Sequence, residues 1–528
     1  NADSNPVSIT IYDDIPIATN LTIPSNVYLH FKDNGRLSPA DGVILTLDCA
    51  IGAGPWQIFG GNGTFEGNPQ VSEVYPEWWG AVGDGVTDDT AALQAAADFC
   101  FKANDESIML KTLNKTYRIT STLQIRCHAD MSLSKINSDA TFSPSIKVGD
   151  DNDSTWRLYF KGPDLLNTTK TGVGWGSTQV PYSEAIGIQA INLYECDFTN
   201  TRVQNFCIGL QIAAMGRGNA YNTYRLGTLT NNQKNLQLKP LDYNGWCNEN
   251  YFEGGRLSFI SSETDNTNTR QIEILSENTI SNSNGNTFVK LSLESDFCEY
   301  KVFLNASYNT FIGCRWEGAS TNVAFYSSEG RYADDNIFIG GYNVQSIDNN
   351  CVKLGNGERY TTILGGRELL STTPSIVGEE KIYRGIKFYG RTLSPTYDNV
   401  LGLGCPDLRW TQIYAASGTI NTSDAREKTD IIPIEAAERN VALKIKSMIG
   451  KFKFLDAINK KGEDNARIHF GATAQDIAQA FESEGLDPSK YGMFCYDEWE
   501  ADPENGIEAG NRYGIRYDEL LAFLIAAL

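Results

Sequence analysis

Apolar and polar positions alternate over short stretches through most of the chain, and the runs are too brief for helices. Val7-Ser8-Ile9-Thr10-Ile11, Leu21-Thr22-Ile23, Val27-Tyr28-Leu29-His30-Phe31 and Val43-Ile44-Leu45-Thr46-Leu47 read as half-buried strands separated by Gly, Pro, Asn and Asp. Between about 110 and 400 no helix-length apolar periodicity occurs, and one triplet recurs instead: Asn222-Thr223-Tyr224, Asn250-Tyr251-Phe252, Asn286-Thr287-Phe288, Asn309-Thr310-Phe311 and Asn336-Ile337-Phe338, with Thr361-Thr362-Ile363 as a degenerate sixth. The steps of 28, 36, 23, 27 and 25 residues lie in the range of a solenoid repeat. Stacked Asn side chains would bond along a turn and stacked aromatics would fill an interior. The pattern predicts a mainly β protein, a parallel β-helix. Helical periodicity appears near residues 88–103 and again at 435–445, 474–484 and 517–527, so a separate α+β unit is expected after residue 400.

Composition adds limits. At 528 residues the chain is too long for one ordinary core, and 48 glycines with 11% aromatics suit many turns between strands. A formal charge of −21 argues against nucleic acid or an anionic membrane as partner. No run approaches the roughly 18 apolar residues of a membrane span, and no signal-peptide pattern opens the chain. It begins at Asn1 rather than Met, so an upstream segment is expected. The 11 cysteines are scattered and never in CxxC spacing, as small buried hydrophobes would be, and with 3 histidines neither a metal site nor a cofactor is expected.

Two segments carry a resemblance. Gly80-Ala81-Val82-Gly83-Asp84-Gly85-Val86-Thr87-Asp88-Asp89-Thr90-Ala91-Ala92-Leu93-Gln94 resembles the lead-in of pectate-lyase-like right-handed β-helices, where a Gly-rich turn feeds a cap helix. Thr87 or Asp88 is the expected cap, and Asp84, Asp88 and Asp89 read as turn and cap residues rather than a metal cluster. The order of a Gly-rich stalk, then Thr422-Ser423-Asp424-Ala425-Arg426-Glu427-Lys428, then a tail closing on Tyr517-Asp518-Glu519-Leu520-Leu521, is similar to the self-cleaving intramolecular chaperone domain of bacteriophage tail spikes and tail fibres. The resemblance implies a homotrimeric tail spike in the virion, assembled in the host cytoplasm. It further implies attachment to the tail or baseplate through an upstream segment, and binding and degradation of a bacterial capsular or surface polysaccharide. The expected domains are 1–75 (short strands), 76–395 (β-helix with its cap helix), 396–422 (stalk) and 423–528 (chaperone).

In that family the cut falls just before the serine. Ser423 would attack the Thr422 carbonyl through a five-membered ring, giving an ester that water hydrolyses. Lys428 is the nearest base, effective once burial lowers its pKa. Asp424 and Arg426 could orient the loop, and His469 and Gln475 fall in a further family-like segment; an N-cap at Ser423 and a plainly structural histidine are the competing readings.

For glycan chemistry, the fourth residue after each repeat aromatic reads Thr228, Arg256, Ser292, Arg315, Tyr342 and Arg367, and the sixth reads Thr230, Ser258, Glu294, Glu317, Val344 and Leu369. Glu294 and Glu317 would stack about 4.8 Å apart in backbone, and carboxyls about 5 Å apart suit a retaining glycosidase. Arg256, Arg315 and Tyr342 would bind substrate, and Trp316, Trp246 and Trp175 are candidate sugar platforms. A surface ion ladder is the plain alternative. A lyase using Lys290, Arg315 and Tyr342 and a fibre that only binds are the other functional readings.

Overall fold

The computed structural model describes residues 5–103, 108–139, 142–169, 185–259, 268–276, 282–295, 298–318, 321–325, 333, 335–343, 424–501 and 508–528, and the strands 352–353, 362–364, 386–389 and 392–395 by backbone. The chain divides into two units, Asn1–Thr396 and Tyr397–Leu528.

The first unit is a right-handed parallel β-helix. Each turn lays one strand on each of three long walls, and the wall strands pair in parallel with their counterparts one turn on, while Ile386–Tyr389 and Thr392–Pro395 pair antiparallel. In the turn around residue 160 these strands are Tyr159–Lys161 on wall one, Asp164–Asn167 on wall two and Ile186–Ile191 on wall three. Among the described residues wall one has 11 strands, wall two 10 and wall three 9. A shorter fourth wall joins Thr155–Trp156, Leu193–Tyr194, Gly218–Ala220 and Trp246–Asn248. The coil already exists in the region expected to be separate short strands, where Val7–Ile11, Val27–Phe31 and Ala50–Gly52 pair in parallel. Leu21–Ile23, Ile44–Leu47 and Thr64–Glu66 do the same.

The recurring triplet explains the regularity. Tyr224, Phe252, Phe288, Phe311 and Phe338 occupy one interior column with centroids 4.6–4.9 Å apart and planes within 11° of parallel. Such pairs add about 0.5–1.5 kcal/mol each beyond burial. One corner earlier the asparagines form a ladder. Asn222 Nδ2 donates to Asn250 Oδ1 at 2.9 Å, Asn250 to Asn286 at 3.2 Å and Asn286 to Asn309 at 3.0 Å, while each backbone N–H donates to the same oxygen. All are 0–1% exposed, and their amides find protein partners in the adjacent turns and, for Asn222 and Asn309, within their own. Asn286→Ala orphans buried groups on both sides and is expected to destabilise the fold by about 3 kcal/mol. Thermal unfolding checks this, and an unchanged melting temperature would show the ladder to be dispensable.

Helix α1 (Thr90–Lys102) packs Leu93, Ala96, Ala97, Phe99 and Cys100 into this core, with Phe99 against Phe59 and Trp79. Its N-cap is Asp89, not the expected Thr87 or Asp88, and Asp89 does not cap by its side chain. Its carboxylate instead turns back to the N–H groups of Val82 (2.6 Å) and Gly83, fixing the Gly-rich turn. Asp88 accepts from the N–H of Thr90, and Asp84 from Val86 and Thr87.

In the second unit α2 (Ala436–Met448), α4 (Ala474–Glu482) and α5 (Tyr517–Ala526) enclose a core of Val441, Ile445, Ile477, Phe481, Leu520 and Phe523. A short helix, α3 (Leu455–Lys461), and two antiparallel hairpins complete it.

Candidate functional site on wall two and the cleavage segment

Wall two brings together the residues aligned from sequence. Arg256 pairs with Ser292, Ser292 with Arg315 and Arg315 with Tyr342; two places on, Ser258 pairs with Glu294 and Glu294 with Glu317. The position between faces inward on every turn (Leu229, Leu257, Leu293, Trp316), so the flanking columns face outward. Gly255, at φ 93°, makes the corner before Arg256; a Cβ there would lie 2.7 Å from that of Leu226.

The charges interlock. Arg256 Nε donates to Glu294 Oε2 at 2.7 Å, Arg315 Nη1 to Glu294 Oε1 at 3.0 Å and Ser292 Oγ to the same oxygen at 2.8 Å. Arg315 Nη2 pairs with Glu317. Burial pushes the Glu294 carboxyl up, but the hydrogen bonds from Arg256 and Ser292 and the charges of Arg256 and Arg315 outweigh it and hold Glu294 below its ordinary range. It is an ionised carboxylate, fit to be a nucleophile or base and not a proton donor. The ladder's contribution to stability is present above the ordinary glutamate value of about 4.3 and is lost as pH falls through the depressed one.

Trp316 is not a sugar platform. It is 1% exposed, in the core near Phe338, because its place in the column points inward. Trp246 is 38% exposed on the fourth wall, and Trp175 lies outside the described residues. Lys290 is exposed at the corner between walls one and two, at φ 53°. For Tyr342 the backbone register with Arg315 is what is described.

Two further arrays were not anticipated. Arg225 on wall one bridges Asp197 (2.5 Å) and Glu253 (2.8 Å). On wall three, Gln189, Gln211 and Gln237 pass hydrogen bonds to the next turn and end on buried Glu273, which Lys234 (2.9 Å) and Arg270 neutralise. Arg225, the residue after the repeat aromatic, was open to the alignment; the glutamine array follows connections of varying length and was not.

Thr422 and Ser423 lie outside the described residues. Asp424 caps the single turn Ala425–Glu427 and takes the Arg426 guanidinium, which holds its carboxyl below the usual range. Lys428 follows and is exposed. His469 is half-buried, its ring edge-on to Phe454 (4.9 Å) and over Phe452 (5.8 Å), and Gln475 is exposed on α4. The unit carries much exposed apolar surface: Ile431 92%, Ile432 78%, Leu455 78%, Phe470 76% and Ile525 68%.

The model of the family described as the chaperone of endosialidase matches residues 423–486. The tail spike protein of Escherichia virus K5 is 36% identical over 144 residues, which is 26% of this chain and 22% of that protein. The side tail fiber protein pb1 of Escherichia phage T5 is 37% identical over 150 residues, 25% of this chain and 10% of that protein. The chain thus spans less than a quarter of the length of these curated relatives. A solved structure of a novel intramolecular chaperone is 42% identical, covering 20% of this chain and 93% of its own, with a TM-score of 0.17. Residues 423–486 thus match the chaperone of endosialidase, in a chain whose other unit is a parallel β-helix and which is similar to bacteriophage tail spikes and tail fibres.

Proposed function

We propose that the chain is a homotrimeric phage tail spike that binds and hydrolyses a bacterial surface polysaccharide and matures by cutting itself between Thr422 and Ser423. The carrying observation is one chain joining a β-helix with an outward Arg–Glu ladder to a chaperone domain of this family. A relative from Klebsiella phage KP32, 31% identical over 104 residues, bears the name "Depolymerase 1, capsule K3-specific". The interior of the helix is filled, so glycan binds outside.

On this reading Glu294, already ionised, is the nucleophile or base. An anionic sugar that engages Arg315 competes with Glu317 for the guanidinium, and the loosened Glu317 is the proton donor. Arg256 and Arg315 give the subsite its preference for acidic sugars. The testing experiment is incubation with purified host capsule. New reducing ends mean hydrolysis, ultraviolet absorbance from an unsaturated uronate would mean a lyase, and neither would mean binding without degradation.

The exposed apolar side chains of the second unit support trimerisation, since so many on so small a body suit contact with other copies. Assembly would also bury Lys428, tying the cut to a completed trimer. Residues 1–422 expressed alone are expected to yield no heat-resistant trimer, because registering three solenoids is a slow non-local search that the chaperone nucleates. Gel filtration and resistance to heated detergent read the result, and a normal trimer from that piece would make the tail dispensable.

A further inference from the structure

Away from the glutamate ladder, exposed aromatics run along the corner between the fourth wall and wall one. Trp156 opens the row, 57% exposed and stacked on its in-register partner Tyr194 at 4.6 Å and 17°. Trp246, on the last strand of the fourth wall, pairs with Gly218. A Cβ on Gly218 would fall 2.2 Å from Tyr194 Oη and 2.4 Å from Trp246 Nε1, so its bare backbone lets both side chains lie against it.

Beside this row the residue before Cys196 and before each ladder asparagine is left-handed on six successive turns: Glu195, Tyr221, Glu249, Gly285, Tyr308 and Asp335, with φ from 52° to 68°. Five of the six are not glycine, in a conformation such residues avoid. The side chains stand out from the corner, Tyr221 at 60% and Tyr308 at 57% exposed. Glu249 lies near Tyr221 and pushes its phenol up, and Arg157 Nε donates to Glu195 at 3.1 Å. The corner thus offers flat apolar rings, set in place by their neighbours, next to carboxylates and phenols. A pyranose presents the complement, a face of C–H bonds and a rim of hydroxyls.

Charge selects among sugars. Glu195, Asp197, Glu249 and Glu253 outnumber Arg157 and Arg225 here, whereas on wall two Arg256 and Arg315 are matched by Glu294 and Glu317. A sugar carboxylate is repelled more strongly at the corner than at the ladder. We propose that this aromatic corner is a second carbohydrate site, distinct from wall two, that binds uncharged pyranose units without cleaving them. The proposal rests on the reading of the chain as a glycan-binding spike.

The full chain titrated with hexasaccharides of glucose, galactose and mannose, followed by tryptophan fluorescence, tests it. At least one series is expected to bind saturably, with hexagalacturonate failing to compete. Trp156→Ala and Trp246→Ala should each weaken binding about tenfold, the loss typical of a truncated anchor aromatic, while Glu294→Gln leaves it unchanged. Equal loss in Glu294→Gln would mean a single site on wall two and overturn the proposal. So would Trp156 shielded from acrylamide in the assembled protein, which would make the corner a contact between copies. Capsule degradation with no binding of any neutral series sinks this site alone; no degradation and no binding of any oligosaccharide sinks the spike reading with it.

Discussion

Glu294→Gln is expected to lower turnover of the host polysaccharide by about 10³-fold while leaving the fold and assembly intact, in keeping with removal of a positioned nucleophile or base. The side chain keeps its size and can still accept from Arg256 and Ser292, so the loss is chemical rather than architectural. Glu317→Gln should act on the other half of the cycle, with a deficit that shrinks for substrates whose leaving group needs no proton. The pH profile separates these roles from a plain ion ladder. Because Glu294 is held below its ordinary range, the acidic limb of kcat/KM governed by it should fall below about pH 4.3. Arg256→Ala and Arg315→Ala should move that limb upward by removing the cations that hold the carboxylate ionised. Full activity in both glutamine variants on a substrate that the parent degrades would remove wall two from the chemistry.

Ser423→Ala should leave the chain whole. The parent is expected to release the 106 residues from Ser423 to Leu528, seen as a lost fragment in denaturing electrophoresis and a new N-terminus at Ser423. The alanine variant should still assemble, since its chaperone core (Val441, Ile477, Phe481, Leu520) is untouched. Lys428→Ala should slow the cut strongly, and normal cleavage there would assign the base elsewhere. Dilution adds a test of the geometry. Lys428 is exposed in one copy, so monomeric protein should cut far more slowly than assembled protein. A monomer cutting at the full rate would uncouple the two events.

The legible part of the fold was the part written in fixed spacings. The triplet from Asn222 to Phe338 sets the interior, and the corner that follows has constant length, so counting four and six residues from the aromatic recovers the wall-two register through Tyr342. The same count held the correction to Trp316: it shares a column with Leu229, Leu257 and Leu293, and an apolar column marks an interior one. Wall three was opaque because its connections vary, from Gln204 to Ile208 in one turn and from Ser258 to Arg270 in another. The coil in the first 75 residues was missed because its strands carry no repeated triplet, and α3 because seven residues are too few for a helical period to emerge.

The asparagine ladder gives the solenoid a direction of growth. Each turn supplies the oxygen that accepts from the N–H groups of the turn before and brings N–H groups that await the next. A nascent chain laid down from its N-terminal side therefore always has one unsatisfied edge, at its advancing front, and each added turn caps the last while reopening the same vacancy one step on. Growth of this kind is templated like a crystal face. A deletion of one whole turn heals without a scar, whereas a deletion of half a turn leaves a buried amide unmatched. Spikes of this design should therefore vary in length between relatives by integral turns.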